Sequence, residues 1–451
     1  MPENQRRRSP RRPGSSRRAA GAAHPAKPKP APTEPPLDGP VLDLDVQRIA
    51  HGGVGVARHE GRVVFVADAI PGERVRARVV DASRDRFWRA DTLEVLDASP
   101  DRRPHVWAEA SVDRAPENRP GGAEFGHIRM ARQRELKADV LRESLARMAG
   151  LDLDVVVEPV DPALAPGVDA ELGTGWRTRV RLHVDAEGRV GPYAARSHRV
   201  IRVDDLPLAD AALRSVVDLD AFRRGLDRID LIAPSTGAPI ELPHGPDVRP
   251  EPGDDLEEVV GDRTFRLSRG GFWQVHRGAA ATLTAAVQDL VDADRFDPDA
   301  DNLDLYGGVG LLAAAVGDRF GPDVRITTVE ADERATAHAA RNLADWADAR
   351  ALTARVDRFL AQAGEADAPR TRSTATIVLD PPRSGAGREV VEQLVRLAPA
   401  QLVYVACDPV ALARDLGTFR ELGYRLEALR AFDLFPNTHH VEAVARLAAI
   451  V

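Results

Sequence analysis

The chain has 451 residues, 43 % of them hydrophobic, and a formal net charge of −8. That length and apolar content allow two to four domains with real cores, and the charge balance excludes a protein coated in nucleic-acid-binding charge. One cysteine, Cys407, excludes an internal disulfide and any multi-cysteine metal site, and no apolar run approaches 18 residues, so a soluble cytoplasmic protein is expected.

Residues 1–40 hold seven Arg and two Lys against two Glu and one Asp, a net of +6 that leaves −14 on the remainder. They are rich in Pro, Ala and Ser, and too few are apolar to offset the entropy of ordering, so a disordered basic arm is expected. No apolar core follows the basic residues, so the segment does not read as a secretory signal. Two readings of the arm stand side by side: a solubilising tail, or weak attraction to RNA through counterion release.

Residues 41–100 read as β. Arg62–Ala67 (RVVFVA) and Arg74–Val80 (RVRARVV) are short and β-branched, and Gly52-Gly53, Gly55 and Pro71-Gly72 punctuate them. Short strands with glycine turns in so few residues suggest a small barrel, a scaffold that often binds oligonucleotides but also occurs as a purely structural unit.

A central β-rich domain is expected over 101–265. It opens with a helix over 129–149, where Met130, Leu136, Val140, Leu141, Leu145 and Met148 recur at near-helical spacing and Gly150 closes the segment; this helix is expected to pack on the catalytic domain. Residues 176–204 return to β character, with a hairpin around Asp185–Gly188, and another strand signal covers Glu257–Leu267.

From about Gly270 helix and strand alternate. Strand-like runs at Leu303–Tyr306, Arg325–Val329, Thr376–Leu379 and Leu402–Ala406 are separated by helical stretches, among them Ala279–Val291, Ala335–Trp346, Arg388–Leu397 and Val410–Leu422. The pattern predicts an α/β fold over 266–451, a mainly parallel sheet with helices on both faces.

Four constellations in this region carry chemistry. In Asp304-Leu305-Tyr306-Gly307-Gly308-Val309-Gly310 a strand runs into a glycine-rich turn and a helix, which lets backbone approach a ligand closely. Glu330, 20 residues beyond Gly310 at the end of the next strand, is placed to accept the ribose hydroxyls of a nucleoside cofactor. A dinucleotide site would look similar. The second constellation is Asp380-Pro381-Pro382-Arg383-Ser384-Gly385 after TIVL. Two prolines leave the chain extended and without N–H donors there. Such a rigid wall has no use in hydride transfer and moves the balance from nicotinamide to S-adenosylmethionine. Cys407, in Val405-Ala406-Cys407-Asp408-Pro409, is the third: a thiol at the C-terminal edge of a strand, ahead of a helix whose dipole favours thiolate. The fourth is Phe432-Asp433-Leu434-Phe435-Pro436-Asn437-Thr438-His439-His440-Val441-Glu442 ahead of a final strand. Its two histidines lack a third ligand, so no metal is expected there.

Together these segments resemble the RNA uracil-5-methyltransferase family, whose DLY-x-G-x-G, DPPR-x-G, Cys-Asn-Pro-like turn and FP-x-T-x-H-V-E elements occur here in that order. Phe272-Trp273-Gln274-Val275-His276 resembles the family's aromatic-Gln-Val-Asn segment, residues 41–100 resemble the TRAM domain, and Gln133–Lys137 (QRELK) and Trp176–Val180 (WRTRV) extend the likeness to about 400 residues. The resemblance implies a class I, Rossmann-like methyltransferase domain with an OB-like TRAM barrel. It puts Gln274, Tyr306, Glu330 and Asp380 at cofactor-binding positions, Cys407 at the nucleophile and Glu442 at the general base. The chain departs from the family at Leu311, where Asn is frequent, and at Asp408, where Asn follows the nucleophile and the substitution sets a negative charge beside the thiol. Many members hold an iron–sulfur cluster through four cysteines; the corresponding positions are Val106, Pro120, Ala123 and Leu206, so no cluster is expected.

The resemblance implies formation of 5-methyluridine in ribosomal or transfer RNA through a Cys407 adduct at carbon-6, with the uridine flipped out or single-stranded. A cytosine-5 RNA methyltransferase is the nearest alternative, but that class uses a cysteine after its Asp-x-Pro, where Arg383 stands here. An amino-group methyltransferase would need no nucleophile. A non-catalytic RNA-binding relative is a further alternative, which the departures at Leu311 and Asp408 keep open. A monomer is the default expectation, without membrane contact.

Overall fold

The computed structural model describes residues 38–248, 255–365 and 373–450; nearly all of the basic arm read in residues 1–40 lies outside them. The first unit is a six-stranded sheet of β1 (Val41–Asp45), β2 (Arg48–Ala50), β3 (Val54–His59), β4 (Arg62–Ala67), β5 (Arg74–Arg84) and β6 (Phe87–Asp97), in the order β1-β5-β6-β4-β3-β2. Alternate residues point inward, so Leu44, Val64, Val66, Val75, Ala77 and Ala90 form its core.

The middle of the chain begins with helix α1 (Met130–Ser144), which ends in a π turn and a left-handed Gly150 (φ 62°) that only glycine takes without strain. Leu141 and Leu145 on its inner face join the core of the C-terminal sheet. The short β7 (Val157–Glu158) then adds to the edge of that sheet. A separate four-stranded sheet, ordered β11-β10-β8-β9, contains β8 (Arg179–Val184), β9 (Val190–Gly191), β10 (Arg228–Ile232) and β11 (Ile240–His244), with helix α2 (Ala211–Val216) between β9 and β10. The Asp185–Gly188 turn joins β8 to β9, with His183 paired to Gly191. The strand signal over Glu257–Leu267 resolves differently. It is two strands, β12 (Asp255–Val260) and β13 (Arg263–Ser268), paired antiparallel around a turn in which Gly261 has φ 58°. The reversal is marked by the exposed pair Gly261-Asp262, a two-residue hairpin turn that the reading as one strand passes over.

The C-terminal region holds α3 (Ala279–Leu290), β14 (Asn302–Leu305), α4 (Leu311–Phe320), β15 (Ile326–Glu330), α5 (Glu333–Asn342), β16 (Ala349–Thr353), α6 (Val356–Glu365), β17 (Thr376–Leu379), α7 (Gly387–Arg396), β18 (Gln401–Ala406), α8 (Pro409–Glu421), β19 (Tyr424–Phe432) and β20 (Glu442–Ala449). The sheet order is β16-β15-β14-β17-β18-β20-β19-β7. Strands β14 to β18 are parallel to one another, and β20 lies antiparallel to both β18 and β19. The central strands β14, β17 and β18 are buried on both faces. Leu402, Tyr404 and Ala406 of β18 pack with α1, α7 and α8, whereas Val403 and Val405 face α3 and α4. The chain steps outward from β14 to β16 and then returns to place β17 on β14's other side. That reversal opens a crevice at the C-terminal ends of β14 and β17, where sheets of this kind receive ligands.

Ala123 and Leu206, two of the four positions matched to cluster cysteines, are buried in the apolar core of the middle region, with Val106 packed against it. Pro120 is buried as well. None of the four side chains carries a group that could ligate iron. Among the described residues no helix is long and apolar enough to cross a membrane.

Candidate functional site

The crevice is lined with carboxyl groups. Asp304, on β14, is fully buried. Its Oδ2 accepts from the Thr328 hydroxyl at 3.0 Å and the Ala313 N–H at 3.3 Å, while Oδ1 has no partner among the described residues. Burial lifts its pKa to about 6. Asp380, at the end of β17, is lifted to about 7 by burial and then by the charge of Asp304. The glycine turn sits beside them. A Cβ at Gly307 would stand 1.9 Å from the Thr328 hydroxyl, and Gly308 (φ 53°) has open space around it. Tyr306 precedes them in a left-handed conformation (φ 60°), and burial pushes its phenol up to about 12.

Glu330 ties two turns together. Its Oε2 accepts from the Gly308 N–H at 3.1 Å, and its Oε1 accepts from the N–H groups of Ala331 and Asp332 at 2.5 and 2.9 Å. Gln274 stands apart from this cluster. It lies between β13 and α3, in a segment anchored where Thr178 donates its N–H to the Val275 carbonyl. Among the described residues its side chain makes no hydrogen bond to Tyr306, Glu330 or Asp380.

Cys407 follows β18 directly, and Glu442 opens β20. The two strands pair antiparallel with Ala406 opposite Ala443, so Cys407 and Glu442 occupy the next rung. Glu442 is buried and also pairs with Phe432 across the hairpin. Burial pushes the Cys407 thiol up to about 12, and the charges of Glu442 and Asp380 add to the effect; Arg383 opposes it. Glu442 is raised well above the ordinary carboxylate value by burial and then by Asp380, again opposed by Arg383.

One expectation about the thiol changes. The helix dipole does not prevail, because burial and the charges of Glu442 and Asp380 raise the thiol; the first N–H groups of α8 are held by Asp408, its Oδ1 accepting from Val410 at 3.1 Å and Ala411 at 2.8 Å. The negative charge that Asp408 sets beside the thiol is the least of the contributions. That charge is spent on those N–H groups and the Asp408 Oδ2 faces His51 Nε2 at 3.4 Å, so it ranks below burial, Glu442 and Asp380 in raising the thiol.

Sequence reasoning passed over three participants. Arg383 was visible in the DPPR run yet assigned no role, and it is the cation that acts on Cys407, Glu442 and His440. Asp304 was read only as part of a turn motif. His51 had no signal, because its contact with Asp408 joins the first sheet to the last one. The rings of the two adjacent histidines lie 4.0 Å apart, tilted by 38°, and Glu124 lies 3.5 Å from His439; among the described residues no group of three or more His, Cys, Asp or Glu is placed to hold a metal. A cavity of about 430 Å³ separates the His51–Val54 turn from Pro120–Glu124 and His439.

Comparison with known proteins agrees with this layout. The family model described as tRNA (Uracil-5-)-methyltransferase matches residues 365–449, and the TRAM domain model matches residues 37–93. A protein of Streptomyces avermitilis described as an uncharacterized RNA methyltransferase is 40 % identical over 91 % of this chain and 98 % of its own length. The 23S rRNA (uracil(1939)-C(5))-methyltransferase RlmD of Pseudomonas fluorescens is 32 % identical over 89 % of this chain and 93 % of its own. Among solved structures, the Pyrococcus abyssi tRNA (uracil-54, C5)-methyltransferase in complex with S-adenosyl-L-homocysteine superposes with a TM-score of 0.64 at 21 % identity, covering 90 % of this chain and 100 % of that one.

Proposed function

We propose, from the premise that this chain belongs to the class I S-adenosylmethionine-dependent RNA uracil-5-methyltransferases carrying a TRAM domain, that it makes 5-methyluridine through a covalent Cys407–uracil intermediate with Glu442 as the base. The observation that carries this reading is the pairing of β18 with β20, which sets the only thiol of the chain beside a buried carboxyl group.

The crevice fits the cofactor. S-adenosylmethionine brings two cationic groups and an adenosine, and the site offers the unpartnered Oδ1 of Asp304, the carboxyl of Asp380 and open space at Gly308. Glu330, at the end of β15, and Tyr306 are the groups we assign to its nucleoside. Gln274 is assigned to the same cofactor from the other side of the crevice. When bound, the cofactor supplies an electrophilic methyl group.

Carbon-5 of uracil is too weak a nucleophile to take that methyl unaided. The Cys407 thiolate adds to carbon-6, forming an S–C bond, and the ring double-bond electrons move onto the O4 enolate, which makes carbon-5 nucleophilic. After methylation the Glu442 carboxylate takes the carbon-5 proton. The electrons of that C–H bond restore the ring double bond, and the thiolate leaves carbon-6. Burial, followed by the charges of Glu442 and Asp380, holds the free-enzyme thiol near 12, so its proton must pass to solvent before the addition.

RNA reaches the thiol from the barrel side, where His51 meets Asp408. The groove of about 520 Å³ bordered by Arg177, Arg179, Arg181 and the exposed Phe272 offers a face for a base and net positive charge, with Arg181 already paired to Asp230 at 2.7 Å. The likeness to enzymes acting on 23S rRNA and on tRNA points to a structured RNA as the substrate. The test is incubation with labelled S-adenosylmethionine and RNA from a strain lacking the gene, followed by digestion to nucleosides. Labelled 5-methyluridine is expected from wild type and none from Cys407→Ala; no product from wild type, or undiminished product from the variant, defeats the reading.

A further inference from the structure

Glu442 ends a nine-residue connection, Asp433–Val441, that leaves β19 at Phe432 and returns to pair Glu442 with that same Phe432. The placement of the base therefore depends on what holds this connection, and Gln133 and Lys137 of α1, about 300 residues away in sequence, supply four of the hydrogen bonds to it. Gln133 and Lys137 stand one helical turn apart on one face of α1, both buried. Gln133 donates through Nε2 to Asn437 Oδ1 at 2.9 Å, and its Oε1 accepts the Asn437 N–H at 2.8 Å. Lys137 Nζ donates to Asp433 Oδ1 at 2.5 Å and to the Phe435 carbonyl at 3.0 Å.

Asn437 is the hub of the arrangement. It is left-handed (φ 64°) and fully buried. Besides Gln133 its Oδ1 accepts from Arg103 at 2.8 Å, its Nδ2 donates to the carbonyls of Leu172 and Gly173, and its carbonyl accepts the Phe125 N–H. Every polar group of that residue is engaged, and every engagement reaches outside the methyltransferase sheet.

We propose that Gln133 and Lys137 are positioning residues for the proton-abstraction step: α1 clamps Asp433–Asn437 so that the Glu442 carboxylate meets the carbon-5 proton of the covalent intermediate. The proposal rests on Glu442 being the base. The physical argument turns on Lys137 and Asp433. A buried ion pair is seldom worth more to stability than apolar residues of the same volume, because desolvation offsets the attraction. What the pair does provide is one geometry, since an ammonium and a carboxylate buried together tolerate no other register. The step it serves moves a proton from carbon-5 to the Glu442 carboxylate while the S–C6 bond breaks, and misplacing a reacting group by about 1 Å costs on the order of a hundredfold.

The test uses the full chain with both partners made apolar, Lys137→Met with Asp433→Leu. Expected are a melting temperature and an RNA KM close to wild type, an intact first methyl transfer, and release of methylated RNA slowed about tenfold or more, with a denaturation-resistant RNA–protein adduct accumulating. Transfer and release falling together without adduct, or no change in either, overturns the proposal. Should the double variant unfold, Asn437→Gly carries the same test, because glycine keeps the left-handed backbone while removing the tether. Glu442→Gln is run in parallel. Free release from it defeats the assignment of the base itself, whereas adduct from Glu442→Gln but not from the clamp variants defeats only the positioning role.

Discussion

Cys407 is the only thiol in the chain, so its ionisation can be followed by alkylation without interference. Burial and the carboxylates of Glu442 and Asp380 hold it at about 12 in the free protein. The thiol form therefore dominates at neutral pH, and the alkylation rate should climb with pH through the alkaline range. Removing a negative charge beside a thiolate stabilises the thiolate, so Glu442→Gln should shift this rise to lower pH. Asp408→Asn should shift it less, because Asp408 is the weakest of the contributors and is bound to the first turn of α8. An equal or larger shift from Asp408→Asn would show that the charge following the thiol does govern it. The identity of the thiol was legible in the sequence, from one cysteine at a strand end before Asp-Pro. Its resistance to ionisation was not, because burial and the approach of Glu442 arise only when β20 inserts beside β18.

At the scale of elements, the helix-capping role of Asp408 makes a separable prediction. Asp408→Ala removes the side-chain cap of α8 and should lower stability by about 1 kcal/mol, read as a lower melting temperature, while Asp408→Asn retains a capping oxygen and should not. The glycine turn is stricter. An added Cβ at Gly307 falls on the Thr328 hydroxyl and within 2.5 Å of the Asp304 carboxyl, so Gly307→Ala should displace both and weaken S-adenosylmethionine binding at least tenfold by calorimetry, with undiminished binding refuting the assigned crevice. Four parallel strands were readable to within a residue or so because each is a short apolar run, and Thr376–Leu379 ends where TIVL ends; β16 was missed, because this outer strand is largely exposed and carries no apolar run. The β12–β13 hairpin was legible in its Gly261-Asp262 turn but was passed over as one strand. The two-residue β7 was not legible, because it is too short to carry a pattern and is held by the edge it joins.

For the whole molecule, the account joins three regions at one thiol: the barrel reaches Asp408 through His51, α1 holds the connection to Glu442, and the sheet presents Cys407. The order of these regions and the packing of α1 on the catalytic domain could be read from composition and motif, whereas the meeting of the barrel with Asp408 and of α1 with the Asp433–Val441 connection could not, because those contacts span hundreds of residues. RNA should bind with an affinity that falls linearly in log salt, since phosphate contacts release counterions, and a salt-independent affinity would remove the basic groove from the account. The most direct measurement uses RNA carrying 5-fluorouridine at the methylated position, together with S-adenosylmethionine. Fluorine at carbon-5 cannot be taken by a base as a proton, so elimination is blocked after methyl transfer. The account predicts a denaturation-resistant complex containing one transferred methyl group, with the RNA linked to Cys407 by mass mapping. Methyl transfer without a covalent complex, or a link to any other residue, would contradict it.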